Sequence, residues 1–145
     1  MDRGAQSLSL VSSFYGMGRD FSARATPFIQ TTDTPGVLLG KDGGPSPMEE
    51  VLVALASSVT TTLAYRAAFA NLQIQEIECE VEGDFDVETV VEAPAKIGPG
   101  FGEIRVTVHV KSNASQERLA KLCAASPVLE TLTQPVPVSL TVKKI

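Results

Sequence analysis

The sequence predicts an α+β fold in which helices are held against a largely antiparallel sheet, and it predicts that two copies wrap one another with their long helices at the centre. Three observations carry the expectation. An unbroken stretch from Ser46 to about Asn71 reads as one helix, apolar or small on nearly every side. Two later stretches, "IECEVEGDFDV" and "EIRVTVHVK", alternate apolar and charged residues with the period of a half-buried strand. Helical and strand patterns are segregated rather than alternating regularly, which favours helices packed on one face of an antiparallel sheet.

The composition bounds the rest. A chain of 145 residues with 43% apolar and 20% charged residues is long enough for one domain, spanning 1–145, with a proper core. A net charge of −5 argues against a nucleic-acid partner, which needs a basic face. The beginning, "MDRGAQSLSL", has no apolar signal region, and no wholly apolar run reaches membrane-span length, so a cytoplasmic protein without a membrane partner is expected. Cys79 and Cys123 have neither metal-ligand spacing nor a disulfide framework, and His109 is the single histidine. No metal and no cofactor is expected.

Taken in order, "SLSLVSSF" and "DFSARATPFI" are strand-like, and "KDGGPSP" is a turn-rich joint. Ser46, Pro47 and Glu49 form a helix start: an N-cap, a proline at the first helical position and a capping-box acid. Val51 to Leu63 then offers no polar face, so one subunit cannot cover it and a second must. Within it, "SSVTTT" places hydroxyls where an unpartnered one would cost about 1–3 kcal/mol. Bonding back to the carbonyl one turn earlier would satisfy them, and small side chains would let another backbone approach closely.

In "IECEVEGDFDV", Ile77, Cys79, Val81, Phe85 and Val87 alternate with Glu78, Glu80, Glu82, Asp84 and Asp86. A paired-carboxylate site is one reading of the acidic row; a solvated sheet face is the plainer one. Arg105, His109 and Lys111 would lie across from these acids in an antiparallel pair, which makes His109 a surface partner. "NASQERLAKLCAA" is a short amphipathic helix, Ser126–Pro127 starts another through Leu132, and "PVPVSLTVKKI" reads as a closing strand.

Several of these segments together resemble the OsmC/Ohr family, the osmotically inducible and organic hydroperoxide resistance proteins, in its OsmC-like branch. They are "GKDGGPSPMEEVLVALASSVTTTLAYRAA", the "GDFD" strand, "GFGEIRVTVHV" and "SPVLETLTQPVPVSL". The resemblance implies an OsmC-like fold, with antiparallel sheets wrapped around a long central helix in an intertwined homodimer, and, in the better-known members, a thiol peroxidase active in the oxidative stress response. There a peroxidatic cysteine on the central helix attacks an organic hydroperoxide, and a resolving cysteine on a later helix closes a disulfide. By this resemblance the peroxidatic position is Ser58 and the resolving position is Ser126; both are serine here. Arg19 in "GMGRDF", with Arg24 as the fallback, resembles the arginine that favours the thiolate. Glu49 resembles the glutamate that orients it, or serves only as the helix cap; the hydroperoxidase branch would place that acid at Met48.

Serine cannot replace cysteine in this reaction, because it needs an adjacent general base and its oxygen cannot pass through a recyclable sulfenic acid. The sequence therefore points to a redox-family member that binds a small apolar molecule, or a peroxide, at the dimer interface without reducing it. The alternative is a thiol-dependent hydroperoxide reductase, acting through Cys123 as a displaced thiol or if Ser58 stands in place of a native cysteine. A serine hydrolase or acyl-binding protein using Ser58 is the third reading.

Overall fold

Strand β1 (Ala5–Phe14) pairs antiparallel with β2 (Ile74–Asp86), and β2 pairs antiparallel with β3 (Glu103–Ser112), giving a three-stranded sheet in the order β1-β2-β3. The computed structural model describes residues 5–14, 33, 41, 43–86 and 98–144. The long helix α1 (Pro47–Phe69) packs across β1 and β2, and two short helices, α2 (Gln116–Cys123) and α3 (Pro127–Thr133), pack against α1. The α+β class follows directly from this arrangement.

Helix α1 starts as its first residues dictate. The Ser46 amide donates to Glu49 Oε2 at 2.6 Å, and the Glu49 amide donates to Ser46 Oγ at 3.3 Å. The helix ends where Asn71 takes a left-handed φ of 53°, a conformation asparagine tolerates better than most residues. By length and composition α1 could also cross a membrane, but its row of Leu52, Leu55, Ala56, Val59, Leu63 and Ala67 is buried within the protein. The expectation of burial all round is not met within one protomer. Ala54, Ser57, Tyr65 and Ala68 are exposed along the opposite side.

The hydroxyls inside α1 behave as helix geometry requires. Ser57 Oγ donates to the Val53 carbonyl at 2.7 Å, and Thr60 Oγ1 donates to those of Ala56 and Ser57 at 2.9 and 3.1 Å. Ser58 alone among these bonds away from its own helix, to Ser126 and α3.

On β2, Ile77, Cys79, Val81 and Phe85 are buried against α1 while the acids between them face outward. Opposite them Arg105 is held by Asp84, Glu82 and Glu103. His109 Nε2 lies 3.9 Å from Glu80, with both side chains about half exposed. The acidic row is therefore a solvated, charge-paired face, as the alternation implies. Glu80→Ala and His109→Ala should each change unfolding free energy by less than about 1 kcal/mol, measured by urea denaturation. A loss of several kcal/mol would assign these residues a buried or catalytic role.

Gly83 interrupts the apolar row for a steric reason. A Cβ there would lie 2.5 and 2.7 Å from the Phe101 ring and 3.1 Å from Leu52 Cδ2. The Phe101 ring is itself seated edge-on to Phe85, centroids 5.8 Å apart. Gly83→Ala should cost about 1–3 kcal/mol by overpacking, read by the same denaturation.

The closing strand expected over "PVPVSLTVKKI" is not formed. Residues 135–144 have no regular secondary structure and are exposed. A strand requires a neighbour for its backbone groups, and nothing among the described residues pairs with this segment.

Candidate functional site

Ser58 and Ser126, the two serines singled out by the resemblance, meet. Ser58 sits in the middle of α1, and Ser126 is the N-cap of α3, brought over α1 by the turn that follows α2. Their hydroxyl oxygens are 2.8 Å apart, although the residues are 68 positions apart in sequence. Each oxygen also accepts a backbone amide from the first turn of α3: Val128 donates to Ser58 Oγ and Leu129 to Ser126 Oγ, both at 3.3 Å. Ser126 is completely buried and Ser58 is half-buried. The pair is thus a hydrogen-bonded clasp between two helices, supplied with donors on the α3 side.

Its chemistry is limited by what surrounds it. His109 is on the exposed face of β3 and pairs with Glu80, so it is not a base for Ser58. Both hydroxyls are already engaged with each other and with the backbone. This argues against the serine-nucleophile reading, which requires an adjacent base.

Glu49 is committed to the helix cap through the Ser46 amide. Arg19 and Arg24 lie outside the described residues.

Neither cysteine is in the clasp. Cys79 is fully buried in the core on β2, and its thiol is pushed up to about 11 by burial first, with Cys123 and Glu80 adding to the effect. Cys123, the last residue of α2, is half-buried, and burial raises its thiol as well. Both are free thiols. Raised values leave them protonated near neutral pH, the opposite of an activated thiolate.

One feature near the clasp escaped the sequence reading. An open apolar groove of about 700 Å³ runs between β3 and α2, with Val106, Val108 and Val110 on one wall and Leu119 and Cys123 on the other. Val59, next to Ser58 on α1, and Leu129, whose amide donates to Ser126, also line it. Alternation places the valines on one face of β3, but only the position of α2 leaves that face partly uncovered.

These residues can be set beside known proteins. The OsmC-like protein family model matches residues 40–141, so the chain belongs to the OsmC-like family. Among solved structures it is similar to an OsmC-like protein from Mycoplasma pneumoniae, with a TM-score of 0.61 and 19% identity over 92% of this chain and 89% of that one. At that identity the likeness speaks for the fold. A comparison with curated proteins gives no match.

Proposed function

We propose that this chain is a non-peroxidase member of the OsmC-like family, a cytoplasmic homodimer that binds a small apolar molecule at its subunit interface without reducing it. The observation that carries the reading is the Ser58–Ser126 hydroxyl pair, 2.8 Å apart, at the two positions where the family resemblance requires sulfur. A thiol can be oxidised by a hydroperoxide and regenerated; a serine hydroxyl cannot.

The groove beside the clasp supports the binding half of the proposal. Its volume of about 700 Å³ suits a small ligand, and its lining is largely valine, leucine and alanine with Thr107, Ser112 and Gln116 as polar contacts. The homodimer is supported by surface. The exposed Ala54, Ser57, Tyr65 and Ala68 line of α1 offers small side chains for a second helix to approach.

Cys123 in the groove wall supports a second reading, a hydroperoxide reductase with a relocated thiol. One experiment separates the two. The protein is mixed with cumene hydroperoxide and a dithiol reductant, and peroxide consumption and retention on dialysis are both measured. Consumption no faster than two ordinary buried thiols allow, with hydroperoxide retained and recovered intact, is the expected result. Rapid consumption abolished by Cys123→Ser would establish the reductase instead, and failure to retain the probe would remove the binding function.

A further inference from the structure

We infer that Cys79 and Cys123 form a redox latch: under an oxidising thiol–disulfide balance they close an internal disulfide that ties the end of α2 to β2 beside the apolar groove. The latch needs neither a hydroperoxide nor the Ser58–Ser126 clasp, and it uses the two thiols that the proposed binding function leaves idle.

The first observation is that the fold brings both cysteines of the chain to one place. Cys79 is buried on β2 in the cluster with Leu52, Leu55, Ala56, Val59 and Val81, and Cys123 packs against that cluster from the end of α2. The sheet register fixes the approach. Cys79 lies directly across from Val108 of β3, and partners across an antiparallel pair share a face. Val108 in turn lines the groove together with Cys123 and Val59. Cys79 is therefore beside the groove floor and Cys123 is in its wall. The two also sense each other electrostatically: after burial, charge on Cys123 is what most raises the Cys79 thiol.

The second observation is that α2 is free to make the motion that a bridge requires. None of its eight residues is buried, so little holds its height above the sheet. The groove of about 700 Å³ leaves room on the side facing β3. A disulfide needs Cα atoms about 4.4–6.8 Å apart, and an inward shift of the last turn of α2 is the motion that supplies this.

Burial sets the order of the chemistry. Cys123 is half-buried and lines the groove, whereas Cys79 is 0% exposed. A small uncharged disulfide, RSSR, that enters the groove meets Cys123 first. The Cys123 thiolate attacks one sulfur of RSSR, forming a mixed disulfide and expelling RS⁻, which takes up the proton that Cys123 released. The Cys79 thiolate then attacks Cys123 Sγ, forming the internal bond and expelling a second RS⁻, which is protonated by the Cys79 proton. Two protein thiols are oxidised and one RSSR is reduced to two RSH. Both protein thiols are raised by burial, so exchange is slow. The latch therefore follows a sustained thiol–disulfide balance and ignores a brief pulse of oxidant.

The test incubates the full chain with hydroxyethyl disulfide without air, counts thiols in denaturant, and maps unreduced peptides by mass. Loss of both thiols, a peptide joining Cys79 to Cys123 within one chain, and a melting temperature raised by on the order of 10 °C are expected. Dithiothreitol should return the melting temperature to its starting value. Cys79→Ala should stop at a mixed disulfide on Cys123 without the rise, and Cys123→Ala should leave Cys79 unreacted in the folded protein. An unmodified chain that stops at the mixed disulfide, keeps both thiols or links only to another copy would overturn the latch. An internal bond with an unchanged melting temperature would overturn it equally, since α2 would then not have been fixed. Reaction of Cys79 at an undiminished rate in Cys123→Ala would overturn the order of attack.

Discussion

Replacing both Ser58 and Ser126 by cysteine should join α1 to α3 through a disulfide that forms in air. The hydroxyl oxygens are 2.8 Å apart. The longer C–S bonds offset the shorter S–S bond of about 2.05 Å, so the two Cβ atoms need little displacement. The bridge would close a loop between residues 68 positions apart, and loop-closure entropy gives about 4 kcal/mol of stabilisation. In a chain of this size that raises the melting temperature by on the order of 10 °C, measured by calorimetry with and without reductant. Ser58→Cys alone should gain a thiol that reacts with cumene hydroperoxide, because the Val128 amide that now donates to Ser58 Oγ would favour a thiolate. Its turnover should remain poor until Ser126→Cys supplies the resolving thiol. A double variant that keeps four free thiols after mild oxidation would show that the clasp does not preserve disulfide geometry.

Ala56→Arg should abolish folding. Ala56 is fully buried on α1, in the cluster with Leu52, Leu55, Val59, Cys79 and Val81. A guanidinium there has no acid to pair with in that cluster and too little space, and an unpaired buried charge costs several kcal/mol, much of the stability of an ordinary domain. Loss of cooperative thermal unfolding and recovery in the insoluble fraction are expected. Ala54→Arg, two residues away on the exposed side, is the informative control. It should leave the chain folded and dissociate the proposed homodimer, as size-exclusion chromatography with light scattering would report. A folded, dimeric Ala56→Arg protein would mean that this helix face does not form the core.

Local elements were legible because each depends on neighbours in sequence. The start of α1 follows from Ser46, Pro47 and Glu49, whose cap bonds span three residues. The acidic β2 and basic β3 follow from period-two alternation, and their pairing follows from complementary charge, realised in Arg105 among Asp84, Glu82 and Glu103. The back-bonded Ser57 and Thr60 follow from helical geometry alone. The closing strand failed for a reason of the same kind. Its alternation is present in residues 135–144, but alternation describes a face and does not supply a partner.

What the sequence by itself determined is therefore the family, the α+β class, the succession of α1, β2, β3, α2 and α3, and the absence of sulfur at positions 58 and 126. These depend on residue identity and on short-range periodicity. Only the tertiary structure decided that the two serines touch, that Ser58 bonds across to α3 instead of back along its own helix, and that a groove remains open beside them. Those facts depend on how α3 is carried onto α1 and how far α2 stands from β3. No periodicity encodes such distances; they result from the packing of side chains remote from one another in the chain.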